Sequence, residues 1–192
     1  MGTTALVTGS RDEVAAFSRV ATELGIDVLT AHDVRQLSAL CTLLGSEAVD
    51  CYIQLPMTIE AKAGDRSVVD RAAEFLAEGL LTRFALALNA VPVLRPKARV
   101  ALVAGHEADE DVPDCAGARL DLLSVLARAV AADAARPGML VNVIPPGTAP
   151  EDIAEIAIRG RTTVATAVYA GLAPDGSFDD WRREALSHVS HH

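Results

Sequence analysis

The chain has 192 residues, 51% of them hydrophobic and 4% aromatic, with 17 Lys and Arg against 26 Asp and Glu for a formal net charge of −9. Such length and apolar content suit one compact core and exclude intrinsic disorder, while an acidic balance with scattered cations excludes nucleic acid or an anionic membrane surface as the main partner. The most apolar run, residues 80–94, is broken by Arg83 and Pro92, so no bilayer span is expected. The opening MGTTALVTGS lacks the basic region of a secretory leader. Cys41, Cys51 and Cys115 are odd in number and lack motif spacing, which suits a reducing compartment. A cytoplasmic location is therefore expected.

In chain order, residues 4–8 form a short apolar run that stops at Gly9, the signature of a strand entering a turn. Residues 11–24 place Val14, Phe17, Val20, Ala21 and Leu24 three and four apart, an amphipathic helix closed by Gly25. Residues 26–30 read as a second strand, 34–44 as a helix ended by Gly45, and 49–55 as a third strand ended by Pro56. A long helix is expected over 68–90 and a strand over 99–104. The acidic stretch 106–114 reads as an exposed loop. It contains five acids, and its solvated reading outweighs that of a hard-cation site. Further expectations are a helix over 120–135, a strand over 139–144 and a last helix over 152–172. Alternating short strands and helices build βαβ units, so the fold expected is α/β: a Rossmann-like doubly wound parallel sheet with helices on both faces. One domain is expected over 1–175, followed by a polar tail, 176–192, whose His188, His191 and His192 take no part in the functional reading.

Two segments carry a resemblance. Ala5-Leu6-Val7-Thr8-Gly9-Ser10 is similar to the first strand and TGxxxGxG turn of the short-chain dehydrogenase/reductase family. Residues 126–133 and then Leu140-Val141-Asn142-Val143-Ile144-Pro145-Pro146-Gly147 resemble that family's "ralAaE…irVNaVaPG", in order and spacing. The likeness runs from residue 4 to about residue 173. It implies a ligand crevice at the carboxyl ends of the strands and hydride transfer between a carbonyl or alcohol and NAD(P). The chain is shortened, with one strand–helix unit where the family has two before the strand at 49.

Position by position, the resemblance implies lost chemistry. Gly9, Ser10 and Asp33 are the residues that match cofactor-binding positions, but Glu13 and Ala15 stand where the second and third glycines belong. A carboxylate in the first helical turn suits the helix dipole and needs no phosphate. Asp33 directly precedes a helix, which also makes it a candidate N-cap. Ala116 and Leu120 occupy the positions of the catalytic tyrosine and lysine, or Cys115 and Arg119 if one residue is inserted in the 135–139 loop. The serine position reads Gly105 or His106, and the asparagine falls near Gly79. Neither register supplies a phenol, and alanine and leucine transfer no proton. Cys115 reads as a small residue at a helix start, a nucleophile only if His106 stands beside it.

The helices over 68–90 and 120–135 carry apolar residues around most of their circumference, whereas a helix covering one sheet face needs only a stripe. In the family that the sequence resembles, the corresponding helices build a dimer. Phe75, Leu80, Phe84, Leu88, Leu122, Leu123 and Leu126 are the expected interface residues. The resulting expectation is a non-catalytic relative of the family without cofactor or metal, associating with itself or with a catalytic relative through these helices. The alternatives are an atypical NAD(P)-dependent oxidoreductase and a small-molecule binder or sensor that uses the crevice.

Overall fold

The structure, a computed structural model, describes residues 2–57, 67, 80–105, 115–134, 138–159 and 167–170. For 115–120, 133–134, 159 and 167–170 the description is of the backbone alone. The elements are β1 (Thr3–Thr8), α1 (Arg11–Glu23), β2 (Ile26–Ala31), α2 (Val34–Leu44), β3 (Val49–Gln54), α3 (Leu81–Ala90), β4 (Leu94–Val103), α4 (Cys115–Ala134), β5 (Leu140–Ile144), α5 (Pro150–Ala154) and β6 (Ala167–Ala170). A 3₁₀ turn at Val91–Val93 joins α3 to β4, and α5 runs on as a π-helical turn, Glu155–Arg159.

The sheet has the order β2-β1-β3-β4-β5-β6, with the first five strands parallel and β6 antiparallel to β5. Among the described residues β2 is an edge strand, in line with the expected loss of a strand–helix unit. Strand order reverses between β1 and β3, so the crevice of this doubly wound sheet opens at their carboxyl ends.

The central strands bury both faces, as a parallel sheet between helix layers requires. On one side α2, α3 and α4 close over Leu6, Leu37, Tyr52, Leu86, Leu94, Leu102 and Leu126. On the other, α1 and α5 close over Val7, Phe17, Ile53, Ala101, Ile144 and Ile153. The spacing that predicts α1 is what packs it: Val14, Phe17 and Ala21 are buried, and Gly25 turns the chain back at φ +74°. Truncating Phe17 to Ala in this position costs about 3–5 kcal/mol.

Three elements depart from expectation, of which α4 differs least, starting at Cys115 rather than at residue 120. Of the helix expected over 152–172, the described part runs as far as the π-helical turn Glu155–Arg159, whereas Ala167–Ala170 pairs with Leu140–Val143 as the antiparallel strand β6. Helical periodicity is a local signal, whereas the open edge of β5 offers main-chain partners only once the sheet exists. The strand expected at 99–104 starts earlier, at Leu94, because β4 carries a bulge. Val49 pairs with Leu94 and Cys51 with Arg99, so two steps along β3 match five along β4. Lys97, in the bulge, adopts φ +64°. The acidic loop expected at 106–114 and the first part of the helix expected over 68–90 lie outside the described residues.

Candidate functional site at the carboxyl end of the sheet

The crevice floor is built where β1, β3 and β4 end. The residues after β3 fold back on the β1–α1 turn: the Leu55 N–H donates to the Thr8 carbonyl (2.8 Å) and the Ser10 N–H to the Pro56 carbonyl (3.0 Å). Gly9 is required here, since a Cβ on it would stand 2.8 Å from the Leu55 Cβ and 3.2 Å from the Pro56 oxygen. Gly105, at the serine position after β4, lies on the other side of the same proline: a Cβ there would stand 3.4 Å from the Pro56 Cβ. The His32 ring reaches the turn from β2, its Nδ1–H donating to the Gly9 carbonyl (3.3 Å).

The three cofactor-type residues of the sequence reading do come to this end of the sheet, yet each is engaged by the protein itself. Gly9 packs on Leu55, and Ser10 spends its N–H on Pro56. Asp33 is the N-cap of α2, its Oδ1 accepting from the Gln36 N–H at 2.8 Å. Glu13 is exposed in the first turn of α1. Of the catalytic-type positions, Ala116 and Leu120 fall in the first turns of α4, where the backbone alone is described.

Below the floor runs a polar network that the sequence reading did not identify as part of the site. Thr8, Tyr52 and Gln54 are wholly buried and Arg83 is 8% exposed. The Tyr52 hydroxyl hydrogen-bonds to Thr8 Oγ1 (2.8 Å) and accepts from Gln54 Nε2 (3.0 Å). Gln54 Nε2 also donates to the Arg83 carbonyl (3.0 Å). In return, Arg83 Nε donates to Gln54 Oε1 (2.7 Å), and its Nη2 donates to the carbonyls of Val103 (2.6 Å) and Gln54 (3.4 Å). One guanidinium thereby ties the ends of β3 and β4 to α3. The planar fork of arginine fits this set of acceptors; a lysine ammonium does not.

Burial pushes the Tyr52 hydroxyl up to about 12, against opposing hydrogen bonds from Thr8 and Gln54 and the Arg83 charge. At neutral pH it is a neutral phenol, sealed from solvent. The signal that could have pointed here is Arg83 itself, a charge inside a core-forming helix, which must find acceptors to be buried. Among the described residues no cluster of three or more His, Cys, Asp or Glu side chains is placed to hold a metal ion.

The expected interface residues divide in two. Leu123 and Leu126 are 3% and 0% exposed, buried against the sheet, which corrects their assignment to a partner-facing surface. Their i, i+3 spacing follows the inward stripe of α4, continued by Ala127, Val130 and Ala131. Leu80, Phe84 and Leu122 are half-buried, and Leu88 is exposed. Phe75 lies outside the described residues. Leu81 and Val125, not among the expected set, are exposed as well.

No protein-family model matches the chain, and no curated protein does. Solved structures do. A doubly substituted short-chain dehydrogenase/reductase from Serratia marcescens matches with a TM-score of 0.59 and 17% identity over 92% of this chain and 97% of that one. A putative short-chain alcohol dehydrogenase from Burkholderia multivorans gives 0.57 and 14% over 86% and 94%. BdcA in complex with NADPH gives 0.53 and 15% over 81% and 85%. At such identities the likeness is one of fold: the chain has the fold of the short-chain dehydrogenase/reductases.

Proposed function

We propose that this chain is a non-catalytic protein on an oxidoreductase fold that acts by association, as a homodimer or as the inactive subunit beside a catalytic relative. The observation that carries the reading is a second apolar stripe on the outward faces of α3 and α4. On α3 the stripe is Leu81 and Leu88, flanking Phe84, which packs partly against the core; on α4 it is Leu122, Val125 and Ala129. Leu81, Val125 and Leu88 are 62%, 46% and 42% exposed, opposite the residues that bury against the sheet. Spacings of three and four on adjacent helices are those of a helix-packing seam, and burying a Leu or Val fully is worth about 1.5–3 kcal/mol.

The crevice supports the non-catalytic half of this proposal. A pyrophosphate binds at such a turn through free N–H groups and a close glycine approach. Here the Ser10 N–H is taken by Pro56, and Leu55 fills the space beside Gly9. The residues present do not fit a dinucleotide bound in that way, so no hydride step is assigned to this chain.

Sedimentation of the purified chain at micromolar concentration tests the first half. A homodimer that dissociates in Leu88→Glu and Val125→Glu, each charge falling in an interface core, is the expected outcome. A protein that stays monomeric alone and beside a catalytic protein of this fold overturns it. Calorimetric titration with NADH and NADPH tests the second half: no heat of binding at millimolar cofactor is expected. Saturable binding would instead support an atypical oxidoreductase.

A further inference from the structure

We propose that the opposite end of the sheet carries a binding site for a small phosphate-bearing anion, formed by the β4 bulge. Overall the cations are scattered, but Arg95, Lys97 and Arg99 fall within five residues of one another, the first two in this bulge and Arg99 where regular pairing resumes. They line a hollow of about 260 Å³ together with Thr3, Asp50, Cys51 and the Ala157–Ile158 backbone turn. Asp50 is the only carboxylate among the described residues of that lining, and it is already engaged: its Oδ1 pairs with Arg95 Nη1 at 2.6 Å, and Oδ2 accepts from the Thr4 N–H at 2.8 Å. Arg95 is further fixed by its Nε–H to the Glu47 carbonyl (3.1 Å), and Arg99 by its Nη1–H to the Ile158 carbonyl (2.9 Å). With Arg95 and Asp50 offsetting one another, Lys97 and Arg99 leave the lining two charges positive on a chain whose net charge is −9.

Three extra residues in a central parallel strand, with a lysine at φ +64°, are a departure that regular pairing does not need. A non-glycine residue held in that region costs about 1–3 kcal/mol, and bulges re-aim side chains next to sites. Here the bulge brings three cations to one hollow. Its volume is below the ~300–1,000 Å³ of sites for larger ligands, which suits a phosphate group with a small attached moiety rather than a dinucleotide. Arginine and lysine together give one oriented fork and one mobile point charge, the pair that phosphate recognition uses.

Calorimetry with inorganic phosphate and, separately, with glycerol phosphate at low ionic strength tests the assignment. Saturable one-site binding is expected, tighter for the ester if the hollow accepts the attached moiety and equal for the two if it holds the phosphate alone. Lys97→Asn removes the charge while tolerating the backbone conformation, and Arg99→Met removes the fork; each is expected to weaken binding at least tenfold. Arg35→Met, on α2, is the control and leaves binding unchanged. Phosphate that does not saturate, or binds Lys97→Asn as well as the parent chain, overturns the proposal. Neither outcome bears on the dimer reading, which is read by sedimentation.

Discussion

The two ends of this sheet handle charge in opposite ways. At the carboxyl end, Arg83 is buried and its donors are spent on Gln54 and the Val103 carbonyl, while the Pro56 carbonyl takes up the Ser10 N–H. At the amino end, Arg95, Lys97 and Arg99 surround an open hollow and Lys97 faces solvent. The difference shows how one scaffold separates rigidity from recognition. Polar groups that are satisfied within the protein hold strands together, and those left toward solvent remain available to a ligand. Among the described residues, the end at which a doubly wound sheet usually receives its ligand is the self-satisfied one.

The comparison predicts large stability effects at the carboxyl end and small ones at the amino end. Arg83→Met strips donors from the Gln54 amide and the Val103 carbonyl and is expected to cost about 3–5 kcal/mol by urea denaturation. A loss below about 1 kcal/mol would show that the network is not what ties the ends of β3 and β4 to α3.

Alkaline pH gives the next effect. Burial pushes Tyr52 from 10.0 up to about 12, and burial, then the Asp50 charge, pushes Cys51 from 9.0 up to about 12 against Arg99. Both groups keep protons in the folded state that the unfolded chain releases. Their stabilisation is complete below about pH 9 and lost as the pH rises toward 12, on the order of 2–3 kcal/mol for Tyr52. Urea midpoints should fall across that window, less steeply in Cys51→Ala and Tyr52→Phe. A flat profile would place both groups in contact with water.

Gly9→Ala tests the filled crevice. A Cβ at 2.8 Å from Leu55 must push the 55–57 segment away from the β1–α1 turn, costing about 1–3 kcal/mol in melting experiments. An unchanged melting temperature would mean that this floor yields freely. At the amino end Lys97→Gly is expected to raise stability by about 1 kcal/mol, because glycine adopts φ +64° without strain. Destabilisation there would show that the lysine stem, packed near Gly138, contributes more than the strain costs.

Much of the fold was legible from residue pattern alone. Alternating short apolar runs and amphipathic segments specified β1 through β5 and their helices, since burial on a strand or helix imposes its own period. Asp33 as an N-cap and Cys115 at a helix start were equally local readings, and both positions hold them. At the candidate site, Gly9 could be counted off from the turn after β1, because a motif is a matter of spacing.

The rest depended on partners distant in sequence. β6 exists because β5 has an open edge, and Leu123 and Leu126 face inward because the sheet lies on that side of α4. Arg83 meets Gln54 from 29 residues away and the Val103 carbonyl from 20, contacts that no local window contains. The acidic composition set out at the start correctly describes the chain as a whole, yet it averages over a bulge that gathers three cations at one end of the sheet. Sequence by itself determined the segments that form β1 to β5 and the helices between them, because those follow from spacing along the chain. Only the tertiary structure decided which polar groups satisfy one another and which stay open, because burial and hydrogen-bond partnership are properties of neighbours in space.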